Sequence, residues 1–286
     1  MNAAPFFAYA RERYEILLKR RAGQPPPWTD NPILQRYRFC NVFRTDDVVT
    51  QWIKKQLLDP LTYSVAEWNL LPVMVAARFI NRVSTLEALK DILLEEGWHS
   101  RACKAKLYDL RKAGQPIVTG AYMIRTPHGI NKIEGLDVVL KPIQRAAKKN
   151  GFDQLPKLQE QHAKLMAYPL LGSFMAYEVV TDLSYAFDYD DHYSWANAGP
   201  GAARGLSRVF FGEIGHLHQG AKDQPEMCRM MRELLAETGD PENWSAGWPR
   251  WDMRTVEHTL CETDKYERVR LGEGEPKQRY EPNHRP

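Results

Sequence analysis

The stretch EHTLCETDKYERVRLGEGEPK (257–277) is the most chemically loaded part of the sequence. On a helix, His258 and Glu262 share a face, as do Glu262 and Lys265, whereas the adjacent Glu257 and His258 do not. An imidazole beside a carboxylate is the composition of a general base and the group that orients it. That makes His258, Glu257 and Glu262 the candidate catalytic residues, with Lys265 and Arg268 as cations for a leaving phosphate. A salt-bridged helix has the same pattern.

Other segments set polar residues among apolar ones. In AGPGAARGL (198–206), Gly199 and Gly201 let a ligand approach the backbone, the following helix offers its N-terminal N–H groups, and Arg204 adds a full charge. That suits an anion; a plain loop-to-helix turn uses the same residues. In RFCNVFRTDD (38–47), Arg38, Asn41 and Arg44 recur every third residue, so a helix would gather them on one side. They suit a phosphate or a base edge; an ion-pair network with Asp46 or Asp47 is the alternative. RFINR (78–82) ends an apolar run with Asn81 and Arg82, either as a polar site or as a basic helix C-terminus. Between Trp98 and Lys112, Arg101, Lys104, Lys106, Arg111 and Lys112 are set against one acid, Asp109; Lys141, Arg145, Lys148 and Lys149 form a second group. Such groups neutralise nucleic-acid phosphates or solvate a helix face.

The excluded chemistry is as informative. The sequence has no GxxxxGK[ST] loop, no GxGxxG, no GxSxG elbow and no HExxH. His216 and His218 form a pair without a third ligand, so no metal site is defined. Cys40, Cys103, Cys228 and Cys261 lie far apart, which fits a reducing cytoplasm. The net charge of +3, from 39 basic and 36 acidic residues, does not identify a nucleic-acid partner by itself. Neither a membrane span nor a signal peptide is expected, since no apolar run is long enough and the N-terminus lacks a basic start before an apolar stretch.

These residues need elements to hold them. With 286 residues, 43% hydrophobic and 26% charged, the chain is long enough for one large or two modest soluble domains. Periodicity predicts helices over 4–21, 33–44, 46–58, 64–80 (kinked or split at Pro72), 98–113, 133–149 (interrupted or restarted near Pro142), 153–167, 171–187, 202–211, 225–238 and 255–268. A further helix starts at Ser84, with Glu87 completing a capping box. The run GQPPPWTDNP (23–32) must break the first helix. PIVTGAYMIRTPHGI (116–130) is the strand or hairpin candidate. The expected architecture is mainly α: a mostly helical domain over 1–286 with room for two lobes, an N-terminal helix and Pro-rich linker over 1–32, and an irregular tail over 272–286.

Six segments together, RFCNVFR (38–44), FINR (79–82), TGAYMI (119–124), LGSFMAYEVVTDLSY (171–185), AGPGAARGL and EHTLCETDKYERVRLGEGEPK, carry a resemblance spanning roughly 35–280. The chain resembles the phage thymine-hypermodification family. That family comprises the amino-acid:DNA transferases, also called alpha-glutamyl/putrescinyl-thymine pyrophosphorylases, and the helical domain of 5-hydroxymethyluracil DNA kinases. The resemblance implies a helix-hairpin-helix, DNA-glycosylase-like helical fold with a small β-hairpin. It puts Gly172 and Ser173 where a hairpin would pinch a DNA phosphate, although Phe174 stands where the usual L-x-G-x-G has its second glycine. Asp182 takes the place of the glycosylase aspartate. The kinase members carry a nucleotide-binding domain, so a sequence without a P-loop implies a stand-alone transferase.

The implied reaction replaces the phosphate or pyrophosphate of an activated 5-hydroxymethyluracil in double-stranded DNA with an amine, from an amino acid or a polyamine. A 5-hydroxymethyluracil DNA kinase would supply the activated base, in the cytoplasm of an infected bacterium. Reaching the base requires flipping it out, with Trp195 and Tyr193 to stack it and Asn41 and Arg38 at its edge. Arg204 with the 199–205 backbone, Lys265, Arg268 and Arg44 would stabilise the leaving group, while Arg101, Lys104 and Lys106 follow the DNA backbone. No cofactor is defined by the residues; Mg²⁺ could assist the pyrophosphate, with Asp188, Asp190 and Asp191 as a loose grouping for it. The shared assumption is that Arg44, Arg204 and His258 fold into one pocket. Competing readings are a glycosylase or lyase, a non-catalytic module that binds modified DNA beside a kinase, and an RNA-binding helical protein.

Overall fold

Proline, which has no N–H to satisfy, opens five of the helices within their first two residues. Asparagine and aspartate side chains cap others: Asn31, Asn131 and Asp252 each accept from backbone N–H groups of the first turn. The computed structural model describes residues 1–119 and 129–280 and is almost entirely helical. Among those residues the isolated antiparallel bridge is Tyr37 with Arg279. In chain order come α1 (Ala4–Arg21) and α2 (Pro32–Arg36), then α3 (Val48–Ile53), which continues through a π turn (Lys54–Leu58) into α4 (Asp59–Thr62). There follow α5 (Leu70–Ile80), α6 (Val83–Glu96), α7 (Ser100–Lys112), α8 (Lys132–Asn150), α9 (Leu158–Met166) and α10 (Ser173–Leu183). The last are α11 (Pro200–Phe211), α12 (Gln224–Glu237) and α13 (Met253–Arg270). The chain divides into two units: Met1–Asp47 with His192–Pro286, and Val48–Asp191.

The first unit is organised around α13, which packs on α11, α12, α1 and α2. Its closest neighbour is α11, and the reason is glycine. A Cβ on Gly201 would lie 2.4 Å from Cys261 Sγ, and one on Gly205 would lie 2.5 Å from the Leu260 carbonyl oxygen. Glycine at these positions, one helical turn apart, lets the two backbones approach. An aromatic core fills the other side: Trp244 and Trp251 meet at 5.1 Å, Phe6 lies 5.7 Å from Trp251, and Tyr14 lies 5.6 Å from Phe43.

The second unit is built on α5, every residue of which is buried, packed by α6, α8 and α10. Arg78 of α5 is charged and wholly buried. It pairs with Asp182 of α10 and donates to Thr50 Oγ1 (2.9 Å) and Asn81 Oδ1 (3.2 Å). Burying a charge is tolerable only when it is paired and hydrogen-bonded this fully.

Several expectations need correction. The helix over 33–44 stops at Arg36; residues 37–43 leave the helix so that Tyr37, Phe39, Val42 and Phe43 can all be buried. Arg38, Asn41 and Arg44 therefore do not line a helix face. The kink at Pro72 does not form, because α5 begins at Leu70 and the missing N–H falls in the first turn. The Ser84–Glu87 capping box is absent: α6 starts at Val83, while Glu87 accepts from Trp52 Nε1 and pairs with Lys90, both at 3.0 Å. The 116–130 hairpin falls largely on residues 120–128, outside the described residues, as do most of TGAYMI and positions 281–286 of the tail. No helix among the described residues is long and apolar enough to cross a membrane.

Candidate functional site

In the first unit, residues 38–44 run along α13. Cys40 N–H donates to Glu262 Oε2 at 2.8 Å, and Glu262 pairs with Lys265 at 2.6 Å. Burial pushes the Glu262 carboxyl up, but the Lys265 ammonium, His258 and the Cys40 N–H outweigh it and hold the group below the usual range. Lys265 also sits 4.8 Å from the centre of the Phe39 ring. Asn41 is the hub: its Oδ1 accepts from the buried Arg13 (2.8 Å), its Nδ2 donates to the Asp46 carbonyl (2.9 Å), and its own carbonyl lies 3.2 Å from His258 Nε2. A carbonyl only accepts, so His258 donates through Nε2. The sequence thus brought together Asn41, His258, Glu262 and Lys265. The space among Tyr9, Cys40, Asn41, Val42, His258, Thr259 and Glu262 is too tight to admit a water molecule.

The expected anion site takes a different form. Gly199 caps α11, and its N–H faces Glu257 Oε1 at 3.5 Å, so the chain's own carboxylate stands where the anion was expected; Glu257 also pairs with Arg254 at 2.9 Å. Gly201 serves the α11–α13 contact. Arg204 turns to Asp264 of α13 (2.8 Å), as do Arg208 (3.2 Å) and Arg268 (3.6 Å); Arg208 reaches on to Glu273. Asp264 is buried, whereas Arg204 and Arg268 keep roughly a third of their side chains exposed (37% and 35%). Three guanidiniums thus meet two carboxylates, and one positive charge is left over at the surface.

Arg44, Arg204 and His258, expected in one pocket, have different immediate partners. Arg204 belongs to the Asp264 cluster, His258 to the Asn41 cluster, and Arg44 is half-buried at the start of the short turn Arg44–Asp46. Arg38 is exposed, its backbone N–H donating to the Gln278 carbonyl at 3.2 Å. Tyr193 is exposed at the rim of a cavity of about 620 Å³ formed by α12 and residues 238–251, which Trp195, half-buried nearby in sequence, does not line.

The remaining candidates lie in the second unit. Asp182, expected as the glycosylase-like aspartate, has both its oxygens engaged by buried Arg78. Helices α9 and α10 pack against each other and are joined by 167–172, with Leu170 in the left-handed region. Gly172 caps α10 with open space around it, and the Ser173 carbonyl lies 2.9 Å from His162 Nε2. Burial lowers the His162 pKa, and its Nε2 donates here because a carbonyl only accepts. On α7, Arg101 and Lys106 are exposed, while Lys104 is drawn to Glu134 (3.0 Å) and Asp137 (3.6 Å). Of the three aspartates suggested for Mg²⁺, Asp191 caps α9 by accepting from Leu158 and Gln159 N–H groups. No group of three potential metal ligands occurs among the described residues.

Sequence reasoning missed Arg13, Asp264 and Arg208, which lock the clusters, and Trp244, Trp248 and Trp251, which wall the cavity. Only the tryptophans had a visible signal, three in eleven residues of PENWSAGWPRW.

Fold and site together define a helical protein with His258 and Glu262 one turn apart on α13 and a surface arginine cluster. Comparison with known proteins gives it a family: the one described as 5-hmdU DNA kinase, helical domain, matches residues 2–275. The chain belongs to that family, as the resemblance implied. A relative, the 5-hmdU DNA kinase of Bacillus phage SP10, is 28% identical over 290 residues, covering 91% of this chain. The chain spans 44% of the length of that relative. No solved structure matches it.

Proposed function

We propose that this chain modifies 5-hydroxymethyluracil in DNA by replacing the phosphate or pyrophosphate of the activated base with an amine from an amino acid or a polyamine. The observation that carries the reading is the placing of His258 and Glu262 one turn apart on α13, the first held to Asn41 and the second to Cys40 and Lys265, in a chain of this family. The amine arrives as an ammonium. His258 takes its proton on Nδ1, and the anionic Glu262 favours the imidazolium that results. The amine nitrogen forms a bond to the methylene carbon, and the carbon–oxygen bond breaks with its electron pair leaving on the phosphate oxygen. The surplus charge of the Arg204–Arg208–Arg268 cluster stabilises that departing anion.

The test is nucleoside mass spectrometry after incubating the protein with a 5-hydroxymethyluracil DNA kinase, ATP, hydroxymethyluracil DNA and a panel of amines. The expected product is a nucleoside carrying the amine in place of the hydroxyl. Phosphorylated hydroxymethyluracil persisting with every amine would overturn the reading, and abasic sites would replace it with a glycosylase.

A further inference from the structure

The cavity of about 620 Å³ in the first unit falls within the size range of small-ligand sites. Its aromatic surface comes from Trp244, Trp248, Trp251 and Tyr193, and its charge from Arg232 and Arg250; no acidic residue lines it. The indoles are braced. Trp244 donates its ring N–H to the Pro249 carbonyl (2.9 Å) and meets Trp248 edge-on at 4.6 Å, while Tyr14 backs Trp248 at 4.8 Å. Arg232 spends one N–H on the Ser194 carbonyl (2.9 Å), and Arg250 has no ion-pair partner among the described residues.

We infer that this cavity receives a nucleotide, with the base stacked on Trp248 and the phosphate held by Arg232 and Arg250. Fixed aromatic faces select a flat ring, and two guanidiniums without a neighbouring carboxylate select an anion. The same charge argues against the other substrate, since an ammonium entering here would meet only cations. That the ring is a hydroxymethylated uracil rests on the reading above; that the ligand is flat and anionic rests on the cavity alone.

The experiment titrates the full chain with 5-hydroxymethyl-2′-deoxyuridine 5′-monophosphate, following tryptophan fluorescence. Saturable quenching is expected, with affinity reduced about tenfold or more in Arg250→Ala and abolished in Ala246→Phe. The second variant fills the cavity from its exposed rim without removing a packed side chain. Quenching that survives unchanged in folded Ala246→Phe, or putrescine binding more tightly than the nucleotide, would overturn the assignment. Mass spectrometry of the modified DNA separates the two ideas. Full amine product from Ala246→Phe removes the pocket and keeps the transferase; nucleotide binding by a wild-type chain that makes no product keeps the pocket and removes the transferase.

Discussion

Replacing Gly205 with alanine should destabilise the first unit, although alanine is the better helix former. In an exposed helix the change would gain about 1 kcal/mol. Here the new methyl would sit 2.5 Å from the Leu260 carbonyl oxygen, 3.0 Å from its carbon and 3.2 Å from its Cβ. The obstacle is the backbone of α13, which cannot rotate aside as a side chain can. Overpacking of this kind costs about 1–3 kcal/mol, and a backbone obstacle belongs at the upper end. The net loss is then about 1–2 kcal/mol, or roughly 2–8 °C in Tm at the sensitivity usual for chains near this length. Gly220→Ala is the comparison, because nothing lies within 4 Å of its added methyl; it should stay within about 0.5 kcal/mol of wild type. Thermal and urea unfolding followed by far-ultraviolet circular dichroism measure both. If Gly205→Ala melted at or above the wild-type temperature, the view that this glycine exists for the α11–α13 contact would be wrong. Normal stability with loss of DNA modification would return the segment to ligand binding.

Asp182→Asn leaves Arg78 charged in the interior and should cost about 3–5 kcal/mol in urea unfolding; undiminished stability with lost turnover would make Asp182 a chemical residue after all. Glu262 ionises below its unfolded value, so its contribution is present above pH of about 4.3 and is lost as pH falls from there through the lower folded value. Tm against pH should therefore drop more steeply for wild type than for Glu262→Gln in that acidic window, and parallel curves would refute the pairing. Arg204→Ala should lower turnover on activated DNA about 10²-fold with little change in Tm, since Arg208 and Arg268 still neutralise Asp264; unaltered turnover would detach the cluster from the chemistry.

Helix order was legible wherever apolar spacing repeated over three or more turns. Ala4–Arg21 was placed end to end, and α11, α12 and α13 to within two residues at either end. Periodicity failed at 37–43, where four side chains of a short segment all find burial, and burial on every side erases the helical signal. At the site, types were read correctly but partners were not. Arg204 has the charge an anion needs, yet spacing along the chain gives no hint that Asp264, sixty residues on, lies under it. Likewise the glycines of GAARG (201–205) look alike whether they admit a phosphate or a neighbouring helix, and only the three-dimensional neighbour decides.

The first unit is assembled from the two ends of the chain, with the second inserted between them. During synthesis α1 and the 37–43 strip leave the ribosome before α13, but Tyr9 packs on Tyr266 and Cys40 is tied to Glu262. At ordinary translation rates those aromatic residues wait roughly 10–50 s for the helix that covers them, while Val48–Asp191 already has its own partners. Nascent copies therefore carry these apolar surfaces uncovered while Val48–Asp191 is made, a natural client for a holdase chaperone.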